Sequence, residues 1–150
     1  MEQLRLLFGG RVEDWSSWEG LPGPPQIISR EDASGDFDFF QAHVMHDARV
    51  TLTALLAPTS LAAHDSVSQE PLAVAYLSTA WLDEQVRALA IEGVPPTPET
   101  INASLYPLSR ELFLVTMGEP QGMARAFIQW TLAPEGQTIV ATQSFVPVLQ

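Results

Sequence analysis

The stretch of residues 26–40, QIISREDASGDFDFF, decides the fold of this chain. It begins with residues 26–29, whose central Ile27-Ile28 pair is typical of a short buried strand, and continues with helical spacing of apolar residues from Gly35 to about Met45. A Ser-Gly turn joins the two predicted elements. Backbone N–H groups at such a helix start have no partners within the helix, and the helix dipole is positive there. The stretch therefore predicts an oxyanion site.

Three charged side chains accompany this predicted anion site. Arg30 offers a planar fork of donors that suits two oxygens of a phosphate-like group. Asp32 is placed to hold that guanidinium, or to accept a proton from a hydrogen-bearing anion. Asp36 lies in the first helical turn, where its carboxylate either takes the place of a ligand or turns toward solvent. Like charges about 4 Å apart repel by about 1 kcal/mol in water, so Asp36 opposes anion binding.

The overall composition argues against several functional classes. The 150 residues carry 18 acidic and 7 basic side chains, giving a net charge of −11. Nucleic acids and anionic membranes require a basic surface, so neither is an expected partner. All seven basic residues are arginine and cysteine is absent, which leaves no lysine for Schiff-base chemistry and no thiol for a nucleophile, disulfide or zinc site. No signal peptide and no membrane span is visible in the sequence.

The remaining apolar patterns alternate between strand and helix. Further strands are predicted at residues 54–57, 72–78, 86–91 and 112–116. Further helices are predicted at residues 2–8, at 60–67 with Ser60 as cap, at 98–103 with Thr97 as cap, at 120–132 and at 134–142. This alternation predicts an α/β fold.

Several segments, taken in order, resemble phosphate-binding proteins of bacterial ABC importers. The segment Ser-Arg-Glu-Asp-Ala-Ser-Gly at residues 29–35 is similar to that family's anion loop, whose usual form is Ser-Arg-Glu-(Asp/Glu)-Gly-Ser-Gly-Thr. The other matching segments, in that family's order, are residues 8–15, 75–78, 93–99, 106–110 and 132–137. Each motif is weak alone, whereas their common order is specific and spans nearly the whole chain.

The resemblance implies a type II periplasmic-binding-protein fold, in which two α/β lobes, each a mixed sheet flanked by helices, clamp an oxyanion between them. The chain resembles the carboxyl-terminal portion, with residues 20–105 as the second lobe and residues 106–150 returning to the first. The implied function is non-enzymatic binding of inorganic phosphate or a similar oxyanion for import, with the transporter permease as partner and no cofactor or metal. The implied location is periplasmic or extracellular and membrane-associated, if a signal precedes this chain.

The resemblance also assigns roles to individual residues. Arg30 becomes the guanidinium ligand and Asp32 its partner carboxylate, while Ser34 and Gly35 supply hydroxyl and backbone donors. Asp36 stands where the family usually has threonine. If Asp36 caps its own helix, the site is filled from within.

Other interpretations stay open at this point. Ser34, Gly35 and Asp36 also fit a plain helix cap, and Arg30 with Asp32 fits a surface ion pair. The group His43, His46 and Asp47 has metal-binding side chains, although a solvated helix end is favoured, and the pair His64-Asp65 lacks a serine for a triad. The alternative function is a diverged or truncated interaction module without a ligand. It would assemble as a homodimer, because apolar sheet edges need cover.

Overall fold

A three-stranded sheet lies at the centre of the first part of the chain. In the computed structural model, which describes residues 1–148, the strands are β1 (Gln26–Arg30), β2 (Leu55–Ala57) and β3 (Ala73–Val74). The order is β2-β1-β3, and β1 pairs in parallel with both neighbours. Parallel neighbours require crossover connections, which here contain helices, so the α/β prediction is confirmed.

Three α-helices belong to the same part of the chain. They are α1 (Glu2–Phe8), α2 (Gly35–Phe40) and α3 (Ser60–Gln69). The helix predicted from Gly35 to about Met45 is present, but its second half, Gln41–Met45, is a π-helix in which the His46 N–H donates to the Gln41 carbonyl over 2.7 Å. Helices α2 and α3 both pack against β1, which explains why residues 27–30 of that strand are all buried.

Aromatic stacking closes the core beside β1. The ring of Phe40 lies 4.6 Å from that of Phe8 and 4.1 Å from that of Tyr76, and the second pair is nearly parallel. Val44 and Met45, in the π-helical turn, are fully buried. The apolar face predicted for residues 35–45 therefore anchors this helix next to the end of β1.

The regular elements of the second part of the chain, within the described residues, are all helices. The chain forms two units, Met1–Arg87 and Ala88–Gln150. The second contains α4 (Pro98–Asn102), α5 (Gly122–Leu132) and α6 (Pro134–Thr142), of which α5 and α6 pack together. Thr97 caps α4 and Pro98 is its first residue, as predicted. The predicted lobe boundary near residue 105 stays a prediction.

Some predicted elements are wrong. Residues 86–91 and 112–116 form no strand within the described chain, although Ile91 makes a single antiparallel bridge to Val94. The strand predicted over residues 72–78 is reduced to Ala73–Val74. Apolar runs become strands only when a neighbouring strand takes their backbone hydrogen bonds, and these segments lack one over most of their length.

One cap prediction is also wrong. The residue that caps α3 is Thr59, whose hydroxyl accepts from the Ala62 N–H over 3.1 Å. Ser60 is instead the first helical residue. Its hydroxyl is thereby left to contact another element.

None of the helices found within residues 1–148 has the length and apolar character needed to cross a bilayer.

Candidate functional site

The candidate site lies at the carboxyl ends of β1 and β2. In the parallel register Arg30 lies opposite Ala57, so both strands end at the same edge of the sheet. The chain leaves β1 through the turn of residues 31–34 into α2, and it leaves β2 through Pro58 and Thr59 into α3. Ligands of open α/β sheets bind at such an edge, because the loops after adjacent strands converge there.

Arg30 is the central side chain of this edge. The residue is only 9% exposed. Its Nε donates to the Ala57 carbonyl over 3.2 Å, and its Nη1 donates to Ser60 Oγ over 2.6 Å. The guanidinium is therefore fixed by the end of one strand and the start of one helix, and it is positioned before any ligand binds.

The carboxylate beside Arg30 belongs to Asp36. Arg30 Nη1 lies 3.3 Å from Asp36 Oδ2, and the two side chains are 10% and 21% exposed. The expectation that Asp32 holds the guanidinium is wrong for this structure, since Asp32 is exposed and makes no ion pair within residues 1–148. The first turn of α2 brings Asp36 back toward the end of β1, whereas Asp32 lies in the outer part of the turn.

Ser34 and Gly35 occupy the turn itself. The Ser34 hydroxyl accepts from the Asp36 N–H over 3.2 Å, which makes Ser34 the cap of α2 and supports the plain-cap interpretation for this contact. A capping hydroxyl still carries its own proton, so Ser34 keeps one donor for an anion. Gly35 is the first residue of α2 and is exposed.

Tyr76 contacts the end of β1 that carries Arg30. No role in the site was predicted for Tyr76 from the sequence. Its hydroxyl accepts from the Arg30 N–H over 3.1 Å and lies 2.8 Å from Ser29 Oγ. Burial raises the pKa of Tyr76, so the phenol stays neutral, and either of the two hydroxyls can donate in its contact with Ser29. Tyr76 thus holds the last two residues of β1 while its ring stacks on Phe40.

A second polar cluster lies on α3, one turn beyond Ser60. His64 is 7% exposed, with Nε2 3.1 Å from Asp83 Oδ2 and Nδ1 3.3 Å from Asp65 Oδ1. These contacts raise the pKa of His64, and the hydrogen bond with Asp83 has the largest effect. A cleft of about 320 Å³ beside His64 is lined by Trp81 and Asp83, and none of the predicted site residues lines it.

The histidines near the end of α2 do not converge on a metal site. His43 Nδ1 lies 2.9 Å from the Phe39 carbonyl, and its ring stacks on that of Phe39. Within residues 1–148 no group of three or more His, Asp or Glu side chains is arranged to hold a metal ion.

Comparison with known protein families shows which family the chain belongs to. The family model described as PBP superfamily domain matches residues 1–135. The chain belongs to the PBP superfamily.

Relatives of this PBP-superfamily chain include binding proteins named for phosphate. It is 26% identical to the phosphate-binding protein PstS of Bacillus subtilis, over 98% of this chain and 49% of that protein. It is 27% identical to the phosphate-binding protein PstS 2 of Streptococcus agalactiae, over 95% of this chain and 51% of that protein. The chain thus spans about half the length of the curated relatives it matches.

A solved structure shows the same fold in this superfamily. It is described as a phosphate ABC transporter substrate-binding protein from Clostridium perfringens, with bound phosphate. The TM-score is 0.87 at 30% identity, over 98% of this chain and 61% of that protein. The predicted fold class and the resemblance to phosphate-binding proteins are therefore confirmed.

Proposed function

We propose that this chain supplies one side of a binding site for an inorganic oxyanion, with phosphate as the ligand, in a solute-binding protein that serves an ABC importer outside the cytoplasm. The observation that carries the proposal is the buried Arg30 guanidinium, fixed at the carboxyl end of β1 by Ala57 and Ser60. The relatives named for phosphate support the choice of ligand. The transporter permease is the proposed partner.

The proposed ligand contacts come from the loop between β1 and α2. Arg30 supplies the charge, Ser34 the hydroxyl donor and Gly35 a backbone donor. One charge-assisted hydrogen bond contributes about 1.5–3 kcal/mol, which is enough for a single arginine to control affinity. Asp32, exposed in the same loop, is a proposed acceptor for the proton of a hydrogen-bearing phosphate. We propose no catalytic role, since binding and release need no nucleophile or general base.

A second candidate function is favoured by Asp36. Its carboxylate already forms the ion pair with Arg30 that a phosphate oxygen would form. The chain would then be a diverged interaction module that keeps the fold without the ligand. The two functions differ in whether phosphate binds at all.

A calorimetric titration distinguishes them. The chain is titrated with phosphate and, separately, with sulfate, and the same titrations are repeated on Arg30→Gln and on Arg49→Gln as matched control. Arg49 is exposed and lies outside the proposed site. Phosphate binding that is lost in Arg30→Gln and kept in Arg49→Gln supports the oxyanion site. No heat with either anion, both from the unmodified chain alone and from that chain combined with the part of the Clostridium perfringens protein that it does not span, rejects it in favour of the diverged module.

A further inference from the structure

The cleft beside His64 is a concave part of the first unit that the proposed anion site does not use. Its volume is about 320 Å³, at the lower end of the range for small-molecule sites. One wall comes from α3, and the other comes from the short 3-10 turn Thr79–Trp81 and the residues that follow it. We call it the His64 cleft, and the lining residues that matter for its chemistry are Leu61, His64, Asp65, Trp81, Leu82 and Asp83.

Two carboxylates of the His64 cleft stay accessible although each contacts the imidazole. His64 Nε2 lies 3.1 Å from Asp83 Oδ2, and His64 Nδ1 lies 3.3 Å from Asp65 Oδ1. The imidazole side chain is 9% exposed, whereas those of Asp83 and Asp65 are 44% and 53% exposed. An ionised carboxylate has about four acceptor sites, so both acids keep capacity for a ligand that reaches them from solvent.

The charge of the lining selects the class of ligand. Two carboxylates against one imidazolium leave one net negative charge, and loss of the imidazole proton leaves two. Among the residues that the structure describes, no arginine lines the cleft, and the chain has no lysine. The lining therefore attracts a cation and repels an anion in both protonation states of His64. A metal ion does not fit, since no described group of three His, Asp or Glu side chains is arranged to hold one.

The rest of the lining is apolar and aromatic, which fits an organic cation. The half-buried Trp81 ring has its centroid 6.5 Å from that of His64. Leu61 and Leu82 are 52% and 38% exposed, so they offer apolar surface on both walls. The face of a tryptophan attracts an ammonium or guanidinium group, and leucine side chains cover the alkyl part of such a ligand.

We propose that the His64 cleft binds a small organic cation, an ammonium group on a short alkyl chain, between its two carboxylates and the Trp81 ring. The ligand and the imidazolium compete for the same carboxylates, so binding favours release of the imidazole proton to solvent. The titratable side chains that face His64 within the described residues are Asp65, on α3 itself, and Asp83, on the opposite wall. Arg30 and Asp36 take no part, so this site is independent of the anion site.

A titration followed by amide NMR tests the site. The full chain is titrated with n-butylammonium chloride, which replaces sodium chloride at constant ionic strength, in a buffer without phosphate. The neutral analogue n-butanol, of the same length, is titrated in parallel. We expect saturable shifts of the amides in residues 61–65 and 80–85, and butylammonium should bind at least about tenfold more tightly than butanol.

Variants assign the binding to the two carboxylates. Asp83→Asn and Asp65→Asn should each weaken butylammonium binding about fivefold or more, because each removes one charged acceptor. Asp47→Asn is the matched control, since Asp47 is exposed, lies outside the cleft and loses the same charge; its affinity should not change. Urea unfolding of each variant checks that the fold is kept.

The pH dependence tests the competition with the imidazole proton. An alkylammonium stays ionised between pH 5.5 and pH 8, as lysine does, whereas His64 loses its proton as the pH rises. Butylammonium should therefore bind about threefold or more tightly at pH 8 than at pH 5.5 in the unmodified chain. In His64→Gln this difference should disappear.

Three results overturn the proposal. One is the absence of saturable shifts in residues 61–65 and 80–85. Another is equal affinity for butanol and butylammonium, which leaves only an apolar groove. The third is an equal loss in Asp83→Asn and Asp47→Asn, which assigns the binding to general attraction by an acidic surface. Because no anion is titrated, these results are separate from failure of the oxyanion site.

Discussion

Arg30 Nη1 lies 3.3 Å from Asp36 Oδ2, at the point where β1 ends and α2 begins. Each side chain is mostly buried, so the pair is poorly screened by solvent. A ligand oxyanion has to share the Arg30 guanidinium with this carboxylate or displace the carboxylate from it. The affinity of the site is therefore set by competition between an internal and an external anion.

Replacing Asp36 should strengthen anion binding. In Asp36→Thr the internal carboxylate is gone and a hydroxyl donor stands in its place, so we expect phosphate affinity to rise about tenfold, corresponding to about 1.4 kcal/mol. Calorimetric titration at constant ionic strength measures the change. Asp38→Thr is the matched control, because Asp38 is exposed in the same helical turn. Its substitution removes the same charge as that of Asp36. Equal gains in the two variants would show that only net charge matters.

Removing Arg30 should destabilise the fold as well as the site. Arg30→Gln leaves the Asp36 carboxylate without its ion pair and removes donors from Ala57 and Ser60, so we expect the free energy of unfolding to fall by about 2 kcal/mol. Urea unfolding followed by circular dichroism measures it. The double variant Arg30→Gln, Asp36→Asn should lose less than the sum of the two single losses, by about 0.5 kcal/mol or more. Strict additivity would mean that the pair contributes nothing.

Tyr76→Phe tests the support beneath the site. The substitution keeps the stacking on Phe40 but removes the hydroxyl that accepts from the Arg30 N–H, so a buried donor loses its partner. We expect a loss of about 1–2 kcal/mol in the free energy of unfolding. In the control Tyr106→Phe, the lost hydrogen bond is a long one, 3.3 Å to the Leu89 carbonyl, and the effect should be smaller. Equal effects in both would remove any special role for Tyr76.

The local sequence was enough to predict β1, the turn after it and the helix that follows. The Ile27-Ile28 pair and the Ser-Gly turn are short-range signals, and their geometry follows from capping and burial alone. The choice of Asp36 over Asp32 as the partner of Arg30 could not be predicted in this way. It depends on how the first turn of α2 folds back toward the end of β1, and the side chains are otherwise equivalent acids.

The contacts that come from distant parts of the chain were not predictable. Tyr76 is 46 residues away from Arg30 and Ser60 is 30 residues away, and only the sheet register brings them together. The same limit explains the wrong strand at residues 112–116. Its apolar pattern is that of a strand, but strand formation depends on a neighbour that no local pattern reveals.

The stability of the first unit should depend on pH through His64. Its two ring nitrogens contact Asp83 and Asp65, the charged groups that face it within the described residues, and these contacts raise the pKa of His64. A raised pKa means that the stabilisation is fully present below the ordinary value of about 6.5 and is lost as the pH rises through the folded value. Hydrogen bonds from the Gln85 N–H and from His64 lower the pKa of Asp83, so its contribution is lost as the pH falls through the folded pKa of that carboxyl.

The resulting window of maximal stability lies between these two titrations, at about pH 5–6. We expect the melting temperature to fall by about 2–4 °C between pH 5.5 and pH 8, and His64→Gln to remove most of that dependence. Thermal unfolding at matched ionic strength measures how the melting temperature changes with pH in the unmodified chain and in His64→Gln. His43→Gln is the control, because His43 is exposed and contacts the Phe39 carbonyl rather than a carboxylate. If His64→Gln keeps the full pH dependence, the contacts to Asp83 and Asp65 do not hold a proton on the ring.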